Sequence, residues 1–227
     1  MNKTLFILLF ISNFGLAQNL VPNPSFEDTI NCPNGVNSIS SVATWFNPTQ
    51  ASPDYYHFCG TNVNNGIPTN SWGYQYAQDG NAYVGIATYW NDSLLPEYRE
   101  YLEVNLISPL IANKTYYWCM WVSLLDSIDY ATNNIGISLS NNIVLALSSQ
   151  TILSNIVYGN HTEIVIDNVN WTEINGKFTA LGGEEYLIIG NFFTDIQTSI
   201  LQIQQNVTGG PGGYYYIDNV YLGVVNK

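Results

Sequence analysis

The chain has 227 residues, with seventeen Asp and Glu against five Lys and Arg, a net charge of −12 and a charged fraction of only 10%. That balance excludes a nucleic-acid partner, whose phosphates require clustered Lys and Arg, and it supplies no basic patch for an anionic membrane surface. The length suits one all-β sandwich and does not demand a second domain.

The chain opens with Lys3, an apolar run from Leu5 to Ile11 and the small-residue site Gly15-Leu16-Ala17. This is the pattern of a secretory signal peptide over 1–17, leaving a single domain over 18–227. The run is too short to cross a bilayer and no later stretch is long and apolar enough, so no membrane span is expected. The expected location is secreted or at the cell surface, with the periplasm open. Removal of the leader leaves Arg99, Lys114, Lys177 and Lys227 as the cations. An oxidising compartment permits a disulfide. Cys32 and Cys59 lie in polar, loop-like settings, whereas Cys119 sits inside an apolar strand pattern. The expected pair is Cys32–Cys59, with Cys119 buried and reduced.

Gly, Asn and Pro punctuate the chain every eight to twelve residues, the spacing of short strands. Pro22 and Pro24 exclude a helix at the start and suit an edge strand or bulge. Strands are predicted over 42–46, 82–87, 100–106, 115–124, 134–139, 171–179, 186–193 and 214–222. The run Pro53-Asp54-Tyr55-Tyr56-His57 reads as a loop pinned by the disulfide. It is either a binding contact or an Ω-loop packed by its own aromatics. Trp72 and Tyr74 precede an Asp79-Gly80 turn. Tyr89 and Trp90 border a polar loop, where exposed rings would stack on sugars. Arg99 is the one arginine, and its expected partner is Glu97, Glu100 or Glu103. The strand over 116–124 is apolar on both faces, as for a strand covered on both sides. His161 falls in a polar, solvated stretch. In the last strand a period of two puts Tyr214, Tyr216, Asp218, Val220 and Leu222 on one core-facing row. Asp218 there needs a counter-charge or a metal, unless it faces water at a strand end or accepts backbone N–H groups.

Several stretches carry a family likeness: N-L-V-P-N-P-S-F-E at 19–27, W-F-N-P-T-Q-A-S-P-D-Y at 45–55 and D-G-N-A-Y-V-G at 79–85. Y-R-E-Y-L at 98–102, W-T-E-I-N-G-K-F-T-A at 171–180, G-G-E-E-Y-L-I-I-G-N-F at 182–192 and Y-Y-I-D-N-V at 215–220 continue it. The chain thereby resembles a group of secreted proteins from Bacteroidota-type bacteria that share a galactose-binding-like β-sandwich, a frame common to many carbohydrate-binding modules. The resemblance implies an all-β jelly-roll β-sandwich whose two ends meet. It also implies a structural calcium held by Glu27 and Asp218, with Asp79 or Asn81 as a third ligand.

No nucleophile elbow, His-Glu-x-x-His or phosphate loop is present, and no catalytic residue is assigned. The reading is a non-catalytic module that binds a neutral glycan through Trp72, Tyr74, Tyr89, Trp90 and Arg99, with Tyr55 and His57 further out. The alternative is a structural or adhesive surface protein that binds another protein. An enzyme built on a pair of carboxylates ranks third.

Overall fold

The structure, a computed structural model, describes residues 18–60, 63–153 and 156–225, so the expected signal peptide lies outside the described residues. Fourteen strands form among them. In chain order they are β1 (Trp45–Phe46), β2 (Asp54–His57), β3 (Thr69–Asn70), β4 (Gly73–Tyr74), β5 (Ala82–Trp90), β6 (Leu102–Asn105) and β7 (Thr115–Leu124). β8 (Tyr130–Thr132), β9 (Ile135–Ser140), β10 (Val157–His161), β11 (Thr172–Thr179), β12 (Tyr186–Asn191), β13 (Ile200–Gln202) and β14 (Gly212–Val224) follow. Two five-stranded antiparallel sheets, β1-β6-β12-β9-β10 and β11-β7-β14-β5-β2, pack as a jelly-roll sandwich. The short pairs β3–β4 and β8–β13 lie outside the two sheets.

Two strands arise where the sequence reads as loop or solvated coil. Asp54–His57 pairs with β5 along its whole length, and Val157–His161 pairs with β9. The sequence signal was weak at both because polar and aromatic residues stand where strand patterns show aliphatic alternation.

β14 lies between β7 and β5. Register places Val122, Ile217, Val84 and Tyr55 in one row across the sheet, and all four are fully buried. The opposite face carries Ser123, Tyr216, Gly85 and Asp54 in its matching row. The single row expected for β14 is therefore split. A bulge between Asp218 and Tyr221, with Asn219 at φ 49°, shifts the phase, so Leu222 pairs with Trp118 on the inner side while Asp218 opposes Trp121 on the outer side. Strand β7 shows the same two-sidedness: Tyr116, Trp118, Met120, Val122 and Leu124 are buried, while Tyr117, Cys119 and Trp121 are half-exposed. Cys119 is free, as expected, but half-buried rather than in the core.

The outer face of this sheet is covered by the segment 70–79. Asn70 Nδ2 donates to Tyr216 Oη (3.2 Å), Gln75 Nε2 to Ser123 Oγ (2.8 Å), and the backbone N–H groups of Gln78 and Asp79 to Asp218 Oδ2 (2.8 and 3.0 Å). Under this cover Tyr56, Tyr83 and Tyr216 pack ring to ring at 4.7–5.1 Å. Aromatics rather than aliphatics suit this layer because their hydroxyls reach polar partners at its margins.

The two ends of the chain meet as the resemblance implies. Leu20 N–H donates to Leu222 O (2.7 Å) and Val220 N–H to Pro24 O (2.9 Å). The Asn19 side chain spans the same strand, donating to Val220 O and accepting from Leu222 N–H (both 3.0 Å). Cys32 and Cys59 are joined, with Cα atoms 5.6 Å apart, closing a loop of 27 residues that contains β1 and β2. The chain-entropy model assigns such a loop about 3–4 kcal/mol. Cys32→Ser is therefore expected to lower the melting temperature by about 10 °C, read by differential scanning calorimetry. A melt unchanged from the oxidised wild type would show that the bridge does not form in solution.

Candidate functional site

The cover over the outer face stops short of Asp54, Ala87 and Tyr214. There it leaves a pocket of about 350 Å³, within the range that holds small ligands. Its floor is the sheet itself: Asp54 of β2, Ala87 of β5 and Tyr214 of β14, with Glu100 reaching in from the segment before β6. Its walls are Trp72, from the β3–β4 turn, Trp90, from the end of β5, and Tyr98. Ser52, Asn37, Val36, Leu95, Leu125 and Gly209 complete the rim.

Local sequence explains the placement. Trp90 faces Gly212 across the β5–β14 pair, and a Cβ at Gly212 would lie 2.2 Å from the indole. The glycine run before β14 is thus the seat of this ring, not merely a linker. Trp90 and Tyr98 then stand 6.1 Å apart, centroid to centroid, at 60°. Tyr98 and Glu100 share a side of an extended run by the two-residue period, and their side chains bond directly: Tyr98 Oη donates to Glu100 Oε1 (2.8 Å).

Both carboxyls on the floor are held. Asp54 accepts from Asn37 N–H (2.7 Å) and from Tyr214 Oη (2.8 Å). Glu100 accepts from Ala87 N–H (2.8 Å), Ser52 N–H (3.3 Å) and Ser52 Oγ (3.1 Å) as well as Tyr98. No Lys, Arg or His lines the pocket among the described residues. Burial therefore pushes Glu100 up to about 7, the nearby Asp54 charge adds to the rise, and the hydrogen bonds from Ala87, Tyr98 and Ser52 oppose it. Asp54 is raised by burial too, against the pull of its Asn37 and Tyr214 bonds. The two share one low-dielectric site and resist ionising together.

This has a consequence for stability. Between the ordinary Glu value of 4.5 and about 7, the folded protein holds a proton on Glu100 that the unfolded chain has released. Stability therefore falls as pH rises through that window, by on the order of 3 kcal/mol from this group. Thermal melts are expected to be highest near the acid end of the window, and Glu100→Gln is expected to reduce the slope, with Glu103 and Asp218, raised by burial to about 7 and about 8, supplying the remainder. A wild-type curve that rises between these pH values would contradict the assignment.

The five binding residues expected from sequence divide. Trp72 and Trp90 line the pocket together. Tyr74 does not: it is 54% exposed on β4 and packs edge to face against Tyr76 at 5.5 Å. Tyr89 is only 8% exposed and meets Tyr130. Arg99 is fully buried and pairs with Asp195 at 2.8 Å, not with Glu97, Glu100 or Glu103. Alternation along the strand explains both reversals, since Tyr89 and Arg99 immediately neighbour Trp90, Tyr98 and Glu100 and so point the other way. Tyr55 is buried in the inner row, and His57 accepts from Cys59 N–H (2.9 Å). Asp54, Tyr98, Glu100 and Tyr214 were not singled out as binding residues. The i, i+2 spacing of Tyr98 and Glu100 was the available signal.

The four residues implied for calcium come to one turn, 78–81. Asn81 N–H and Nδ2 donate to Glu27 (2.6 and 3.3 Å), Ser25 Oγ donates to Asp79 Oδ2 (2.9 Å), and Asp218 accepts from Gln78, Asp79 and Asn219 N–H groups. The donor set is all oxygen and suits a hard cation. Among the described residues, no three acidic, His or Cys side chains already converge on one point. Burial pushes Asp218 up to about 8, and the Asp79 charge adds to the rise while the three N–H donors oppose it.

No protein-family model matches the chain, and no curated protein matches it. Solved structures with similar architecture include the CBM22-1–GH10 modules of Clostridium thermocellum endo-1,4-beta-D-xylanase 10B, at 12% identity and TM-score 0.46 over 93% of this chain and 29% of that one. Another is the CBM22-1 xylan-binding domain of Paenibacillus barcinonensis Xyn10C, at 9% identity and TM-score 0.45, covering 93% and 97%. A third is the K1 cleaved adhesin domain of Lys-gingipain from Porphyromonas gingivalis, at 14% identity and TM-score 0.44, covering 89% and 96%. This chain spans under a third of the xylanase structure and nearly all of the other two. The likenesses are loose and concern the fold, and no ligand or residue role is carried over from them.

Proposed function

We propose that the chain is a carbohydrate-binding module and that its site is the pocket between Trp72, Trp90 and Tyr98. One observation carries this: the pocket joins aromatic walls to a polar floor on the same sheet face. Sugar rings present apolar C–H faces and a girdle of hydroxyls. The aromatic walls match the first and the floor matches the second. Trp72→Ala and Trp90→Ala are each expected to weaken oligosaccharide binding at least tenfold, with the double variant silent and all three folded. Isothermal titration against a ligand found on a glycan array reads this directly. Retained affinity in the double variant would move the site elsewhere.

Secretion or surface display fits the Cys32–Cys59 bridge. A calcium ion at the 78–81 turn belongs to the same reading, supported by the oxygen donors of Glu27, Asp79, Asn81 and Asp218 in a chain of net charge −12. Calcium added to chelator-treated protein is expected to titrate one site and raise the melting temperature. Absence of both effects would remove the ion from the account.

One observation favours a second reading, hydrolysis. Asp54 and Glu100 are two carboxyls in one pocket, both raised by burial, so that one can hold a proton while the other is ionised. Turnover of a bound oligosaccharide that is lost in Glu100→Gln would make the module an enzyme. Intact ligand after prolonged incubation would leave it a binder.

A further inference from the structure

The sequence reading names a neutral glycan, but the floor of the pocket has a different chemistry. Its hydroxyls already donate inward: Tyr214 to Asp54 and Tyr98 to Glu100. What the site offers a ligand is the remaining lone pairs of Asp54 and of the two phenol oxygens, which are acceptors, because Glu100 already accepts four bonds. Asp54 uses two of its roughly four acceptor positions on the protein, so it has capacity left. Among the described residues, no cation of the protein answers these acids. Arg99, next to Glu100 in sequence, is turned away into its Asp195 pair, and Lys114 and Lys177 line a separate groove with Ser108 and Tyr116. The walls above the floor are the indoles of Trp72 and Trp90 and the ring of Tyr98, surfaces that attract cations.

We propose that the sugar taken by this pocket carries a free amino group, with its ammonium bonded to Asp54, beside Glu100, and its ring between Trp72, Trp90 and Tyr98. An ammonium has three donors and no acceptor, so it matches the open lone pairs of Asp54 and the two phenol oxygens. A neutral hydroxyl complements them only in part. The ammonium also supplies the counter-charge that two buried carboxyls lack, allowing both to ionise. The chain's net charge of −12 favours approach of such a ligand. This inference rests on the carbohydrate reading above and narrows it to amino sugars.

The test is calorimetric titration of the folded chain with three tetrasaccharides at about pH 6, where a sugar amine is protonated. They are the β-1,4-linked tetramers of glucosamine, N-acetylglucosamine and glucose. n-Butylamine serves as a sugar-free amine. The glucosamine tetramer is expected to bind at least tenfold tighter than either neutral tetramer, and Asp54→Asn is expected to erase most of that margin. In case Asp54→Asn does not fold, salt dependence in two proteins decides: added salt is expected to weaken the glucosamine tetramer on the wild type, and Trp72→Ala/Trp90→Ala is expected to show no such binding, whereas salt-sensitive binding that survives in that variant places the amine on the acidic surface and overturns the inference. Equal or tighter binding of a neutral tetramer overturns the amino-group inference and leaves the carbohydrate reading standing. Binding of n-butylamine as tight as the glucosamine tetramer, with no neutral sugar bound, overturns both, because the sugar then contributes nothing. Silence of all four on folded protein overturns both as well.

Discussion

Arg99→Ala is expected to lower the melting temperature by roughly 10 °C, a loss of about 3–5 kcal/mol. The guanidinium is fully buried and makes four polar contacts. It meets Asp195 Oδ1 (2.8 Å) and donates to Tyr98 O (2.8 Å), Phe193 O (3.1 Å) and Thr198 Oγ1 (3.4 Å). It also lies 5.9 Å over the Tyr89 ring. Removing it strands the Asp195 carboxylate and two carbonyls together. Asp195 and Glu97 are locked to each other, the Glu97 N–H donating to the Asp195 carboxylate (3.1 Å) and the Asp195 N–H to the Glu97 carboxylate (2.8 Å), so the damage extends to both segments. Lysine would restore the charge but not the fork that reaches four acceptors, and Arg99→Lys is expected to recover less than half of the loss. Arg99→Ala with unchanged melting and lost glycan affinity would return Arg99 to the binding role expected from sequence.

Asp218→Ala is the second large effect. Asp218 is fully buried, and three backbone N–H groups, from Gln78, Asp79 and Asn219, depend on it at 2.6–3.0 Å. Each orphaned donor costs about 1–3 kcal/mol. The segment it anchors also covers Tyr83 and Tyr216. A loss of roughly 4 kcal/mol is expected even in chelator, because the bonds to the 78–79 turn exist without a metal. If calcium binds there, the loss grows when calcium is present. Equal melting of variant and wild type in chelator would mean the turn does not depend on this carboxyl.

Much of the sandwich was legible because strands with aliphatic alternation announce themselves. The strand predicted over 115–124 matches β7 at both ends, and β11 and β12 were placed within two residues at either end. The Cys32–Cys59 pairing was legible from two loop-like cysteines set against one in a strand. The facing of β14 was not, because a bulge at Asn219 reverses the phase without any Gly or Pro to mark it. In the site, Trp72 and Trp90 stood out as rings beside polar turns. Asp54 and Glu100 did not, because one sat in an apparent loop and the other was weighed only as a partner for Arg99. What joins them is the β2–β5 pairing and the reach of the segment before β6, which are long-range contacts. No local pattern encodes those.

The most direct test of the central claim is a glycan array probed with the folded chain and with the Trp72→Ala/Trp90→Ala variant side by side. The account predicts a family of related hits for the wild type, and their loss in a variant that melts within a few degrees of it. Hits that persist in the variant, or a blank array from folded wild-type protein, would contradict it.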